Sequence, residues 1–418
     1  MTQDFFISLA TRLMNTASTS SSSSGVQSML SFISDVYTIM GPIINFFRLK
    51  NILMMNKKPY IKMNTTLLID GNWLLLSRVF LLQDKFKLSN PQRIKEEATQ
   101  DLMEILGRSV SGMLHKIPEL TNIILIADGG SWRKELPIPD QLKETTYKGN
   151  RTKESETDWN AIFGAFTRWQ KAVAEAGVTV SQGYGIEGDD WIWYWSRNLN
   201  AQGINVVIWS SDCDLKQLVQ LNGMAFTAWY NDKVGLVLPE AAKEPEDILD
   251  MFMAPSTRSG ELEALERRIK KHIYINPDAI AMEKIIQGDA GDNIKSVARI
   301  TKNNRTYKVG PKDYAKVMEV LGEPTDIHAF ISKFEKVSKT IPTAIKKFNG
   351  YNTEKISEML DYNLRLVWLN EEVIPETVIT KMAESEYKKA DVNEIKNNFR
   401  VLCEVPEDIS KVEDDLPF

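Results

Sequence analysis

Four short apolar runs in this chain end on acid: Leu67-Leu68-Ile69-Asp70, Ile124-Leu125-Ile126-Ala127-Asp128, Ile186-Glu187-Gly188-Asp189-Asp190 and Ile208-Trp209-Ser210-Ser211-Asp212-Cys213-Asp214. Asp289 and Asp292 add a fifth acidic group further on. A short, nearly continuous apolar run reads as a strand buried on both faces, and such strands belong to parallel sheets covered by helices. Open sheets of this kind bind ligands in the crevice outside the carboxyl ends of their strands, which is where these acids fall. Between the runs, Pro91 to Lys116, Thr157 to Ala176 and Asp189 to Leu199 carry apolar residues at helical spacing. The order strand, helix, strand, basic loop, helix, strand, helix, strand predicts an α/β fold with a largely parallel twisted sheet flanked by helices. Trp191-Ile192-Trp193-Tyr194-Trp195, directly after an acidic turn, reads as a helix packed on that sheet rather than as a base-stacking platform.

So many anions converging on one place need cations. The three histidines, His115, His272 and His328, lie far apart in sequence, and the two cysteines, Cys213 and Cys403, are too distant for a local zinc knuckle and too few for a disulfide scaffold. That cysteine usage suits a reducing cytoplasm. Hard oxygen ligands point to Mg²⁺, with Mn²⁺ as a substitute, and a carboxylate nest of this size suits two-metal phosphodiester chemistry. The formal net charge of -5 argues against a generally basic nucleic-acid binder. It sums over an acidic centre and an acidic tail, however, so the distribution of charge matters more than its total.

In combination the motifs resemble the phage and bacterial 5′ nucleases related to flap endonucleases, most closely in pattern the T-even phage RNase H type, from about Thr66 to about Met318. The resemblance implies a PIN-like 5′ nuclease core. It makes Asp70 the first-strand metal ligand and Asp128, in Ala127-Asp128-Gly129, the second. Glu187-Gly188-Asp189-Asp190 is similar to the family's Glu-Ala-Asp-Asp, with Gly188 as a small-for-small change of little expected consequence. Ser210-Ser211-Asp212-Cys213-Asp214 matches Ser-Ser/Thr-Asp-Gly-Asp except that Cys213 replaces glycine, and Gly288-Asp289-Ala290-Gly291-Asp292-Asn293-Ile294 is close to Gly-Asp-x-x-Asp-Asn-Ile. The expected arrangement puts Asp70, Asp128, Glu187, Asp189 and Asp212 around one ion and Asp214, Asp289 and Asp292 about a second. Asp190 belongs to the same candidate set, although adjacent residues at a helix start point in different directions.

Basic residues lie between the second and third acidic runs. Trp132-Arg133-Lys134 is followed by Tyr147-Lys148-Gly149-Asn150-Arg151, which resembles the family's helical arch, here near 131–156. At i and i+3, Lys148 and Arg151 are expected to share a helix face and meet one phosphate, with Arg133 as a further catalytic cation and Lys134 as a DNA contact. Tyr147 is expected to stack on a terminal nucleotide. A solvated basic loop is the alternative. A second basic stretch holds Lys295, Arg299, Lys302, Arg305, Lys308, Lys312 and Lys316 against a single acid, Asp313. Within it Val309-Gly310-Pro311-Lys312 resembles the family's helix-turn-helix variant, where Gly310 and the following helix N-terminus would grip duplex backbone without reading sequence. The family often places a monovalent cation in this turn. The polar insert around Asn303-Asn304-Arg305 reads as an extra DNA-contacting loop, and the alternative is a generic basic surface.

The termini differ from the rest. Residues 1–65 form a low-complexity and apolar extension, with a serine-rich tract from Ser18 to Gly25 and an interrupted apolar stretch from Val26 to Phe47 that makes a poor membrane span. It reads as a leader ahead of a start at Met54, Met55 or Met63, or as a docking helix or anchor, and no stable membrane association is expected. The core is expected over 66–255, a helical DNA-binding region over 256–400 and an acidic tail over 401–418. The tail's Asp414-Asp415-Leu416-Pro417-Phe418 is similar to the tip of bacterial single-stranded DNA-binding proteins, which docks on replication partners, while a solvated acidic tail is the plain reading. The function these features imply is that of a monomeric Mg²⁺-dependent 5′ nuclease acting on DNA and RNA–DNA hybrids at 5′ ends or flaps during primer removal. A catalytically weak, structure-selective DNA-binding protein and a PIN-type ribonuclease are the alternatives.

Overall fold

The computed structural model describes residues 64–117, 120–142, 146–150, 156–222, 225–239, 274–302, 305–322, 326–338 and 353–404. The leader, the tail from residue 405 and the expected core boundary at 255 lie outside them. Strand β1 (Thr65–Asp70) is followed by α1 (Gly71–Val79) and the long α2 (Gln92–Lys116). Then come β2 (Leu120–Ile126), α3 (Trp159–Glu175), β3 (Thr179–Ser181), α4 (Gly188–Ala201) and β4 (Asn205–Trp209). This is the alternation the sequence predicts, with Pro91 as the N-cap of α2.

The sheet is completed by β5 (Gln220–Asn222), β6 (Ala225–Asn231), β7 (Gly235–Pro239) and β8 (Tyr274–Ile275) in the order β3-β2-β1-β4-β6-β7-β8, with β5 on β6. The pairings β1–β2, β1–β4, β2–β3 and β4–β6 are parallel, whereas β6–β7 and β5–β6 are antiparallel. The strand order turns back at β1, so the crevice at its carboxyl end, between the β2 and β4 sides, is the natural ligand site of such a sheet.

Alternate residues of the same strands feed two cores, as the two-residue period of a strand requires. Leu67, Ile69, Leu125, Val207 and Trp209 pack with α1, α2 and α3 on one face. Leu68, Ile124, Ile126, Val206 and Ile208 pack on the other with Trp191, Trp193 and Trp195 of α4, which are buried as expected of packing residues. That second core continues into α5 (Pro277–Gln287), α6 (Pro311–Leu321), α7 (Ile327–Ser338), α8 (Thr353–Val367) and α9 (Glu376–Ala383). A last helix, α10 (Val392–Asn397), packs on the first core. Met63–Phe418 accordingly form one compact unit.

The segment expected as an extra DNA-contacting loop holds paired strands on either side of Asn303-Asn304, β9 (Arg299–Lys302) antiparallel to β10 (Arg305–Lys308), as its β-branched and aromatic residues favour. One local expectation is corrected. Tyr147–Asn150 form a turn rather than a helix, since Lys148 adopts the left-handed region at φ 55°, which no helix of L-residues continues. No helix among the described residues is long and apolar enough to cross a membrane.

Candidate active site

The acids at the strand ends serve first as local structure. Asp70 caps α1 by accepting from Trp73 N at 3.0 Å, and its other oxygen accepts from the buried Ser210 hydroxyl at 2.6 Å. Ser210 Oγ also accepts from Asp212 N at 2.9 Å, so one hydroxyl links the ends of β1 and β4. Asp128 is clasped by Asn72 in both directions: Asn72 Nδ2 donates to Asp128 Oδ2 at 2.9 Å, and Asp128 N donates to Asn72 Oδ1 at 3.1 Å. Asp128 Oδ1 accepts from Gly188 N at 2.6 Å, at the start of α4, where the helix dipole favours an anion. A Cβ at position 188 would stand 3.0 Å from that oxygen, so Gly188 is less neutral than expected and permits this close approach.

Burial and mutual repulsion shape the charges. Asp70 is pushed up to about 7, by burial first, against the hydrogen bonds from Ser210 and Trp73 N, with Asp128 and Asp212 adding to the rise. Asp189 is raised well above the carboxylate range by burial and then by Asp212. Asp214 is pushed up to about 6 by burial and then by Asp212. These are the properties of an oxygen-rich crevice that would gain from a cation.

One convergence is tight. Among the described residues, Asp214, Asp289 and Asp292 offer carboxylate oxygens that all lie within 4.8 Å of one another, the grouping expected for the second ion. The five acids expected around the first ion influence one another electrostatically but do not form a group that close. Lys284 of α5 stands among the second set, ion-paired to Asp214 and, at 2.6 Å, to Asp289. Burial alone would lower the pKa of this ammonium, but the pairing with Asp214 and Asp289 outweighs it and the pKa is raised. The motif reading missed Lys284, Ser210 and Asn72. Only Ser210 lay inside a motif; Asn72 stands two residues after Asp70 and Lys284 five residues before Asp289, and that nearness to a motif acid is the signal that could have found them.

Glu187 is held by two cations, Arg133 Nη1 at 2.7 Å and Lys148 Nζ, which keep it below its ordinary range although burial pushes the other way. Burial would also depress Lys148, but Glu187 outweighs that and its pKa is raised. Lys148 therefore sits at the edge of the acidic crevice as a firmly charged ammonium.

Three assignments change with the structure. Arg133 is 2% exposed and grips Asp190 with both terminal nitrogens at 3.0 and 2.8 Å while Nε donates to the Leu366 carbonyl at 3.1 Å, so it cannot meet a phosphate. Asp190, fully buried, also accepts from Trp132 Nε1 at 3.0 Å and closes the capping box of α4, so it is a structural acid and not a metal ligand. Tyr147 is 7% exposed, its hydroxyl within 3.4 Å of both Glu187 oxygens and its ring 5.0 Å under Lys148 Nζ, which leaves no face for a nucleotide.

The remaining cations are dispersed. Lys134, Lys308, Lys312 and Lys316 are exposed, and Lys295 bonds Asn293 Oδ1. Gly310 caps α6, with Pro311 at its first position. Arg299, Lys302 and Arg305 lie on the hairpin, but their side chains fall outside the described residues, as do Arg151 and Asp414 to Phe418. Cys213 is an exposed free thiol between Asp212 and Asp214.

Residues 65–244 match the family model of the 5′-3′ exonuclease N-terminal resolvase-like domain. No curated protein matches the chain in sequence. Among solved structures, the chain is similar to a bacteriophage T5 protein co-crystallised with metal ions, at 16% identity over 79% of this chain and 99% of that one, with a TM-score of 0.48. It is also similar to the T5 5′-exonuclease with zinc bound, at 18% identity over 79% and 99% with a TM-score of 0.47. A third is a T5 flap endonuclease in a pseudo-enzyme-product complex with DNA and metal ions, at 16% identity over 80% and 100% with a TM-score of 0.46. The sheet whose carboxyl end gathers these acids thus lies largely within residues 65–244, the part of the chain that matches the 5′-3′ exonuclease N-terminal resolvase-like domain.

Proposed function

We propose that the protein is a divalent-metal-dependent 5′ nuclease that hydrolyses phosphodiesters near the 5′ ends of duplex or branched DNA and of RNA–DNA hybrids, with Mg²⁺ as its ion. The observation that carries this reading is the convergence of Asp214, Asp289 and Asp292 within 4.8 Å, beside a crevice that also gathers Asp70, Asp128, Glu187, Asp189 and Asp212. The donor set is all oxygen, which fits Mg²⁺ or Mn²⁺ and does not select a thiophilic metal. Asp214, Asp289 and Asp292 would hold one ion, and Asp70, Asp128, Asp189 and Asp212 with Glu187 would hold or orient a second. Divalent ions in these places supply an activated water and offset the charge on the departing oxygen.

The chain's own residues do the rest. Lys148 exchanges its partner Glu187 for a non-bridging phosphate oxygen and stabilises charge that grows on it. Lys284 neutralises Asp214 and Asp289 until cations take over. Ser210 and Asn72 fix the directions of Asp70 and Asp128, so that the acids need little reorganisation when substrate arrives. Exposed Lys312 and Lys316 on α6, with Lys308 before it, hold duplex backbone. Products carry 5′ phosphates, and removal of RNA primers is the role that suits such a specificity.

The test uses 5′-labelled flap, nicked and RNA-primed duplexes incubated with and without Mg²⁺, with fragment lengths read on a gel. Asp212→Asn is expected to abolish most cleavage while retaining DNA binding, because the grip on duplex lies on α6. Near wild-type cleavage by Asp212→Asn at saturating Mg²⁺ would refute the assignment, and binding without cleavage by the wild-type protein would favour a structure-selective DNA-binding protein.

A further inference from the structure

The two described non-glycine residues in the left-handed region are Lys148, at φ 55°, and Asn293, at φ 60°. They meet at one place. The Thr146–Asn150 segment is laid against the loop Asp289–Asn293, and hydrogen bonds cross the join in both directions. Lys148 N donates to the Asp292 carbonyl at 2.9 Å, Asn293 Nδ2 donates to the Thr146 carbonyl at 2.8 Å, and Asn150 Nδ2 donates to the Ala290 carbonyl at 2.9 Å. Below the join, the Tyr147 hydroxyl lies 3.5 Å from Asp292 Oδ2.

A left-handed conformation is unfavourable for a lysine, and it persists only where surrounding contacts over-determine it. Here those contacts come from the loop that carries two of the three converging carboxylates. Asparagine tolerates the left-handed region better than most residues, and at 293 it also turns its amide toward the Thr146 carbonyl. The conformation at Lys148 has a chemical consequence: with its backbone N–H tied to Asp292, its side chain reaches Glu187 inside the crevice.

We propose that Asn293, assisted by Asn150, is a positioning residue for Lys148, pinning the turn to the Asp289–Asn293 loop so that the ammonium and the second carboxylate group move as one body. The inference deepens the nuclease reading and rests on the phosphate role that reading gives Lys148. Neither asparagine needs to touch substrate. Losing the pin lets the lysine drift, and a drift of about 1 Å can cost up to about 10²-fold in rate.

The test is a double-mutant cycle on the full chain. Asn293→Gly keeps the backbone conformation available while removing the amide, Asn150→Ala removes the second pin, and Lys148→Met removes the charge. Single-turnover cleavage of a flap duplex at saturating enzyme is expected to fall about tenfold or more in Asn293→Gly, with the Kd for the same duplex within about twofold of wild type. In the Lys148→Met background Asn293→Gly is expected to cost nothing further, because what it positions is gone. Amide hydrogen exchange supplies a readout that does not depend on activity: the Lys148 N–H should exchange faster in Asn293→Gly and in Asn150→Ala, while β1 and β4 amides keep their protection. Additive losses in the cycle, an unchanged rate in Asn293→Gly, or unchanged exchange at Lys148 would each overturn the proposal. A Lys148→Met variant that cuts at the wild-type rate would overturn the phosphate role of Lys148 instead, and exchange alone would then decide whether the asparagines hold the turn.

Discussion

Arg133 keeps Asp190 out of the acidic crevice. A bidentate guanidinium–carboxylate pair with almost no exposure is held by geometry that lysine could not reproduce, and the same guanidinium also reaches Glu187 and the Leu366 carbonyl. It therefore ties the turn after β2 to the start of α4 and to the end of α8. Arg133→Met should leave Asp190 without its partner in the interior, and breaking a buried pair from one side typically costs about 3–5 kcal/mol. Urea denaturation is expected to show a loss of that size. A variant of full stability that fails only in cleavage would return Arg133 to the catalytic set. Its neighbour in role, Lys148, differs in one respect that decides function: Lys148 is partly exposed and Arg133 is not. Motif spacing cannot tell two such cations apart, because both follow an acidic strand end within a basic loop.

At the scale of elements, α3 depends on a cap that is also an ion pair. Asp158 accepts from Ala161 N at 3.0 Å and pairs with Lys95 of α2 at 2.6 Å, with both side chains mostly buried. The hydrogen bond from Lys95 holds the Asp158 carboxyl below its usual range. A depressed carboxylate contributes stability above its unfolded pKa of about 4 and loses it as pH falls through the folded value. Asp158→Asn keeps a capping oxygen and loses the charge, so it should cost about 1–3 kcal/mol at pH 7 and progressively less below pH 4, measured by urea midpoints across that range. Helix α6 makes the second prediction at this scale. Lys312 and Lys316 are four residues apart and exposed on one face. Reversing both charges should lower the slope of log affinity against log salt by about 0.9 for each phosphate that is no longer neutralised, and should weaken duplex-containing substrates much more than short single strands. Equal losses on both would show that α6 is not the duplex clamp.

For the whole molecule, folding buries the acids and brings them together: burial first, and neighbouring carboxylates after it, push Asp70 up to about 7 and Asp214 up to about 6. A ligand that binds only the folded state stabilises it by about 2.7 kcal/mol at a hundred times its Kd. Mg²⁺ or Mn²⁺ should therefore raise Tm by several degrees over Na⁺ at equal ionic strength, and chelation should reverse the rise. The combined Asp214→Asn and Asp292→Asn variant should lose most of this effect, and a Tm indifferent to divalent ions in the wild-type protein would refute the metal centre. Much of this architecture was legible in the chain because it is written in local patterns. Leu67-Leu68-Ile69-Asp70 announces a buried strand and its acidic end, the spacing in 91–116 announces α2, and five acidic motifs in order announce a crevice. Apolar runs and helical periods depend on neighbours a few residues away, so they survive without the fold. What the sequence could not state is which charged groups meet. Arg133 and Asp190 are 57 residues apart, Lys148 and Asp292 144, and Asp214 and Asp289 75, by subtraction of their positions in the chain. Tertiary packing alone brings each pair together, and a charge becomes ligand, clamp or buried strut according to the partners and the water that remain around it.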